Sequence, residues 1–279
     1  MIVSMAKLET KGDLSGIRFC PACKRTIETG ETLMKQILLI TDGCSNVGQS
    51  PVMAASYAKQ EGITVNVVGI VDYGTIGELG AQEIHEIAQA GGGMSRLADT
   101  KQLARTMQMM TRKTVVQTIQ QAVNKELKQI LGGESLESLP PAKRSEVVEV
   151  MDELTETSPL DVALLIDVSA SMKPKLAAVE EAIRDLLLSL AAREGQSRIA
   201  VFHFPGNHGG EEAVLDMDWT SDLSSTRSLF QRLVMKGATP TGPALLKVID
   251  FFRYGTLNGY QTDLGEKGAG EGILSDYVH

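Results

Sequence analysis

Positive charge, aromatic rings, cysteines and long apolar runs are all scarce in this chain of 279 residues, and each scarcity removes a class of function. Lys and Arg number 27 against 35 Asp and Glu, a net charge of −8. Sequence-independent binding to nucleic acid needs a basic face, so it is not expected. The same balance argues against an anionic membrane surface. No apolar run approaches the roughly 18 residues of a membrane span. The opening MIVSMAKLETKGDL lacks the apolar core of a signal peptide, so the expected compartment is the cytoplasm. Aromatics are only 4%, too few for a stacking platform for single strands or sugars. The three cysteines, Cys20, Cys23 and Cys44, make no disulfide framework. Cys20 and Cys23 form half of a zinc knuckle, but a structural zinc wants four ligands and the second pair is missing. What remains is a soluble globular profile, 43% apolar and 22% charged.

Residues 1–33 read as a polar tail. A compact strand begins at Met34, and the codons of Gly30-Glu31 could supply a purine-rich ribosome-binding sequence just ahead of it. On that reading the native start is Met34. Strand and helix signals then alternate. Ile37-Leu38-Leu39-Ile40 is an apolar run ending at Thr41-Asp42-Gly43, as in a buried parallel strand. A helix over Pro51–Glu61 stops at Gly62, and Ile63–Ile70 is a second strand. Leu79–Ala90 is a helix closed by three glycines, and Met94–Ala98 a short strand. Apolar residues from Leu103 to Ile130 recur at three and four, a long amphipathic helix with a break expected near Thr111. Gly132–Pro141 is a linker and Lys143–Leu154 a shorter helix. The pattern restarts with a strand, Val162–Ile166, ending at Asp167. The next helix is marked by Leu176, Val179, Ile183, Leu186 and Leu190, with Pro174 expected in its first turn. Arg198–Phe204 and Ala213–Trp219 suit a hairpin. Helices follow over Ser224–Met235 and Gly242–Arg253, and the Gly-rich end reads as a frayed tail.

This alternation predicts an α/β fold, a doubly wound and mostly parallel six-stranded Rossmann-like sheet with one antiparallel edge strand. Such sheets bind ligands beyond the carboxyl ends of their strands, at the topological switch point. Three segments sit at such ends: Asp167-Val168-Ser169-Ala170-Ser171, Gly237-Ala238-Thr239-Pro240-Thr241-Gly242, and Thr41-Asp42-Gly43. Taken singly, Asp, Ser and Thr after strands are ordinary helix N-caps. Taken together they offer two carboxylates and three hydroxyls. These are hard oxygen donors that suit Mg²⁺ or Mn²⁺ and disfavour zinc or copper.

The three segments together resemble the metal-ion-dependent adhesion site (MIDAS) of von Willebrand factor A (VWA) domains. That motif is Asp-x-Ser-x-Ser, a distant Thr after a Gly-rich turn, and a distant Asp ending a central strand. It maps onto Asp167, Ser169, Ser171, Thr239 and Asp42. The order departs from the family's, because Thr41-Asp42-Gly43 precedes Asp167 instead of following it. The resemblance therefore implies a circularly permuted VWA domain and is similar to the YabS-like VWA proteins of spore-forming bacteria. Residues 34–131 would supply family strands four to six, 132–160 a linker and helix, and 161–255 family strands one to three. Residues 256–279 would be a flexible tail. Cutting a 3-2-1-4-5-6 sheet between strands three and four leaves two contiguous half-sheets whose shared edge is the switch point.

The resemblance implies hydroxyl ligation by the two serines and the threonine, aspartates acting largely through water, and Mg²⁺ or Mn²⁺ as the ion. The partner would be a protein offering an Asp or Glu carboxylate to that metal. A bacterial regulatory adaptor, linked to sporulation or to a kinase or ATPase, would fit. No phosphate-binding loop, dinucleotide fingerprint, zinc-protease motif or nucleophile elbow occurs, so an enzyme is not expected. Two other readings stand beside this one: a metal-dependent hydrolase on the same sheet, and a scaffold acting through the long connector helix. A mostly monomeric state is expected, with a domain-swapped dimer as a minority. His203 and His208 read as a solvated pair flanking the hairpin, His85 as a surface or boundary residue, and Cys44 as a small filler in its loop. Met107, Met109 and Met110 read as packing or interface residues.

Overall fold

A computed structural model describes residues 34–71, 77–130, 136, 139–206, 211–222 and 239–255. The tail 1–33 with Cys20 and Cys23, His208, the expected helix over 224–235 and the tail 256–279 lie outside the described residues. Six strands form one sheet: β1 (Met34–Thr41), β2 (Ile63–Ile70), β3 (Gly92–Ala98), β4 (Leu160–Asp167), β5 (Ser197–Phe204) and β6 (Val214–Thr220). Their order is β3-β2-β1-β4-β5-β6, parallel throughout except for the antiparallel β5–β6 pair at one edge. This is the doubly wound sheet expected from the sequence, in the order that a permuted VWA sheet requires.

The central strands are buried on both faces, which is why they read as unbroken apolar runs. In β1, Leu38 and Ile40 point to one face while Ile37 and Leu39 point to the other. The first face packs against α3 (Leu103–Ile130), α4 (Pro141–Thr157) and α5 (Leu176–Ala191). The second packs against α1 (Pro51–Gln60), α2 (Glu78–Ala90) and α6 (Thr241–Tyr254). The chain therefore leaves β1 for one face and β4 for the other, and the switch point lies between these two neighbours. Their register, Ile40 against Ile166, brings Asp42 and Asp167 to the same end of the sheet.

Helix α3 runs unbroken for 28 residues, in contrast to the expected break near Thr111. The polar interruption of its apolar stripe meets a matching polar patch on the sheet. Thr111 and Thr114 are buried, and so are Gln36 of β1 and Asn66 of β2. Asn66 Nδ2 donates to Thr114 Oγ1 at 3.0 Å, and Gln36 Nε2 donates to the Thr111 carbonyl at 3.4 Å. Buried polar groups need partners: the Thr114 hydroxyl has one in Asn66, whereas Thr111 is met only at its carbonyl and its buried hydroxyl has none among the described residues. Pro174 also differs from expectation. It lies in a 3-10 turn over Ala170–Lys175, ahead of α5.

Candidate metal centre

Asp167 closes β4 and is fully buried. Its Oδ1 accepts the backbone N–H of Ser169 at 2.8 Å, and its Oδ2 accepts the hydroxyl of Thr41 at 2.8 Å. Burial pushes its carboxyl above the ordinary range, with the nearby Asp42 charge adding to this. The hydrogen bonds from Ser169 and Thr41 pull the other way and do not fully compensate. Asp167 is thus a buried carboxyl whose hydrogen bonds offset only part of the cost of burial.

Ser169 stands at the N-cap position of the 3-10 turn, yet its side chain makes no cap bond. Its Oγ lies 3.1 Å from Ser171 Oγ instead. Ser171 Oγ donates to Asp42 Oδ1 at 2.8 Å, and Lys175 Nζ donates to Asp42 Oδ2 at 2.7 Å. Asp42, Asp167, Ser169 and Ser171 are therefore joined in one hydrogen-bonded chain, although Asp42 and Ser171 are 129 positions apart. The depth is graded. The Asp42 side chain is 2% exposed, Ser169 is buried and Ser171 opens to solvent.

Thr239 is tied by its backbone to the loop that follows Asp42, and none of its described hydrogen bonds reaches Asp42, Asp167, Ser169 or Ser171. Its backbone N–H donates to Asn46 Oδ1 at 2.8 Å. Its carbonyl accepts the Asn46 N–H at 3.2 Å and the Ser45 hydroxyl at 3.2 Å. Ser45 is tied in turn to α2, where its N–H donates to Glu83 Oε2 at 2.9 Å. The first turn of α6 packs tightly on this loop. A Cβ on Gly242 would lie 2.0 Å from the Gln49 carbonyl oxygen, so only glycine permits the approach.

Sequence reasoning missed three members of this arrangement. Thr41 was quoted beside Asp42 but given no role, although it donates to Asp167. Asn46 holds Thr239, and Lys175 pairs with Asp42. An ammonium four residues past the Asp-x-Ser-x-Ser run carries no spacing signal that separates it from a solvated lysine.

Among the described residues no three of His, Cys, Asp and Glu come together. The donors gathered here are two carboxylates and the hydroxyls beside them. That set fits a hard divalent cation, because a buried carboxyl with no cation among its hydrogen-bond partners and the serine hydroxyls beside it are oxygen donors that such an ion would use. Cys44, two residues past Asp42, is exposed. Its thiol is pushed up by partial burial and by Glu83, which makes it a poor nucleophile.

His203 departs from the expected solvated pair. It is 1% exposed, and its Nδ1 lies 2.7 Å from Asp216 Oδ2 on the neighbouring edge strand. The alternation of β5 turns it inward with Ile199 and Val201. His85 is exposed, with its Nδ1 3.3 Å from Ser95 Oγ. Met107 and Met110 are core residues, while Met109 is 40% exposed.

Fold and site together define an α/β protein with an oxygen-donor cluster at the switch point of its sheet. The chain belongs to the YabS family. It is 49% identical over 213 residues to the uncharacterized protein YabS of Bacillus subtilis (strain 168), covering 76% of this chain and 86% of YabS. It is also similar to the crystal structure of an uncharacterized protein from Alicyclobacillus acidocaldarius subsp. acidocaldarius DSM 446. That likeness has 44% identity and a TM-score of 0.74 over 81% of this chain and 96% of the other. A structure of proximal thread matrix protein 1 from the mussel byssus, with a zinc-occupied MIDAS motif, overlaps at 14% identity. Its TM-score is 0.26 over 82% of this chain and 48% of that one. No family model matches the chain. Among the described residues no helix is long and apolar enough to cross a membrane.

Proposed function

We propose that this chain is a binding module of the VWA type, in which Asp42, Asp167, Ser169, Ser171 and Thr239 hold Mg²⁺ or Mn²⁺ for a carboxylate of a partner protein. The observation that carries the reading is the meeting of Asp42 with the Asp167–Ser171 segment, over 129 positions of sequence, at the sheet's switch point. Ligand sites of doubly wound sheets lie at that point. When bound, the ion would supply a Lewis-acidic position that accepts an anionic oxygen. The chain's own residues do the rest. Thr41 and the Ser169 N–H orient Asp167. Ser171 orients Asp42. Asn46 fixes the turn that presents Thr239.

The reading is of an adaptor and not of a catalyst. The two serine hydroxyls lie 3.1 Å apart, and that of Ser171 donates to Asp42, a carboxylate already paired with Lys175 and so not a free base, which favours a ligand role over a nucleophilic one. A regulatory role in the cytoplasm is the setting we propose for it.

Thermal melting with and without Mg²⁺ or Mn²⁺ tests the site. An ion that binds only the native state adds about 2.7 kcal/mol of stability by mass action at a hundredfold excess over Kd, and the midpoint rises with it. Ser169→Ala or Thr239→Ala should abolish the increment while leaving the fold intact. Wild-type responses in both variants would refute the assignment. Hydrolysis of a phosphate ester in Mg²⁺, lost in Asp167→Ala, would replace the adaptor reading with that of a hydrolase.

A further inference from the structure

The feature of this site that its donor set does not explain is a cation already inside it. Lys175 ends the 3-10 turn that begins just after Ser169, and its side chain is only 11% exposed. Its Nζ lies 2.7 Å from Asp42 Oδ2, on a carboxylate whose side chain is 2% exposed. The other oxygen of that carboxylate takes the Ser171 hydroxyl. Asp42 is thus fully partnered without any metal, one oxygen by a neutral donor and one by a full positive charge. Asp167 has no such cation among its hydrogen-bond partners; these are a backbone N–H and a hydroxyl. The two carboxylates of the site are therefore unequal, and only Asp42 carries its own counter-ion.

We propose that Lys175 is a tethered placeholder cation, which holds Asp42 in the metal-free protein and must yield that carboxylate for a divalent ion to bind. This inference rests on the reading of the site as a cation site. A buried carboxylate without a cation is costly, so an ammonium at Asp42 stabilises the protein whenever no metal is bound. A lysine suits that task. Its ammonium is a point charge on a flexible four-carbon stem, able to swing away where a bidentate guanidinium would lock. Close like charges repel in a shielded site, so ammonium and divalent ion compete for one oxygen. The competition lowers metal affinity and makes occupancy responsive to ion supply or to a partner's carboxylate. Lys175 is a positioning residue here, acting through Asp42.

Two measurements on the full chain test this, with Mn²⁺ and Mg²⁺ as the probes. In Lys175→Met, which keeps the stem and removes the charge, the metal-free melting point should fall. Mn²⁺ should bind about tenfold more tightly than to wild type, an ordinary size for coupling between two competing occupants. Lys175→Arg should restore the metal-free melting point. Mn²⁺ affinity in Lys175→Met that equals or falls below that of wild type would overturn the inference while leaving the metal site standing. Absence of Mn²⁺ binding in wild type and variant alike would overturn both. The second measurement needs no variant. Acetic anhydride labelling, read by peptide mass spectrometry, should modify Lys175 several-fold faster in saturating Mg²⁺ than without it. The exposed Lys173 should label at the same rate in both and serves as the control. Equal or slower labelling of Lys175 in saturating Mg²⁺ would show that the ammonium never leaves Asp42, and the placeholder role would fall.

Discussion

Replacing Gly242 by alanine sets two effects of opposite sign against each other, and the structure decides between them. Gly242 lies in the first turn of α6, where alanine's better helix propensity is worth at most about 1 kcal/mol. Against this, the new Cβ would stand 2.0 Å from the Gln49 carbonyl oxygen, 2.8 Å from its carbon and 3.2 Å from the Pro51 nitrogen. All three are backbone atoms, so no rotamer change relieves the clash, and the loop or the helix must retreat by roughly an ångström. Overpacking of that kind costs about 1–3 kcal/mol. The expected net change is a loss of about 1–2 kcal/mol in urea unfolding, or about 2–4 °C of melting point per kcal/mol. The moved backbone belongs to the loop between Asp42 and α1, so the Mg²⁺ increment should shrink as well. Gly43 is the control. A Cβ there meets nothing within 4 Å, although it stands next to Asp42. Gly43→Ala should be neutral or stabilise by about 0.4–1 kcal/mol through the unfolded chain. A Gly242→Ala protein as stable as wild type would show that α6 does not pin this loop, and the positioning of Thr239 would need another cause.

Three further outcomes follow from the same geometry. Asp167→Asn should stabilise the metal-free protein at neutral pH while abolishing its response to Mg²⁺; Thr41 can redirect its hydroxyl to the Gly43 carbonyl, 3.3 Å away. Because burial raises the Asp167 pKa, the native state holds that proton more tightly than the unfolded chain. The penalty is absent below the unfolded value of about 3.9, grows as pH rises through the native value and is level above it. The stability gap between variant and wild type should widen in that window, and a gap that narrows with rising pH would contradict the sign. Residues 34–131 and 155–279, expressed separately, should each be insoluble or molten, since each exposes the edge where β1 and β4 pair over seven positions. Co-expression should give one soluble complex, and cooperative folding of either half alone would argue against the shared sheet. Mixing Asp42→Ala with Asp167→Ala chains after co-refolding at low concentration should leave no Mg²⁺ response, because closure within one chain costs only loop entropy. Recovery of the response would reveal a swapped dimer.

The order of elements and the place of the site were legible because β1 and β4 are buried on both faces and read as unbroken apolar runs. Each ends in a chemically distinctive residue, so Asp42 and Asp167 could be placed at strand ends before any contact was known. Contacts between distant segments were not legible. Lys175 faces Asp42 because the 3-10 turn folds back over the end of β1, and no local periodicity encodes that. Asn46 looks like any loop asparagine until α6 arrives beside it. His203 was misjudged because its neighbours in the hairpin are polar, yet period two along β5 already pointed it inward. The supposed break in α3 was a polar stripe awaiting Gln36 and Asn66, which lie far away in the chain.

The central claim is that these five residues form one site for a single divalent ion. Electron paramagnetic resonance of Mn²⁺ tests it most directly, since the free aqueous ion gives a sharp six-line signal that is lost on binding. Wild-type protein should remove one Mn²⁺ per chain, Mg²⁺ should restore the signal by competition, and Asp42→Ala, Asp167→Ala and Ser169→Ala should each leave it undiminished. Undiminished free Mn²⁺ in the presence of excess wild-type protein, or equal uptake by all three variants, would contradict the account.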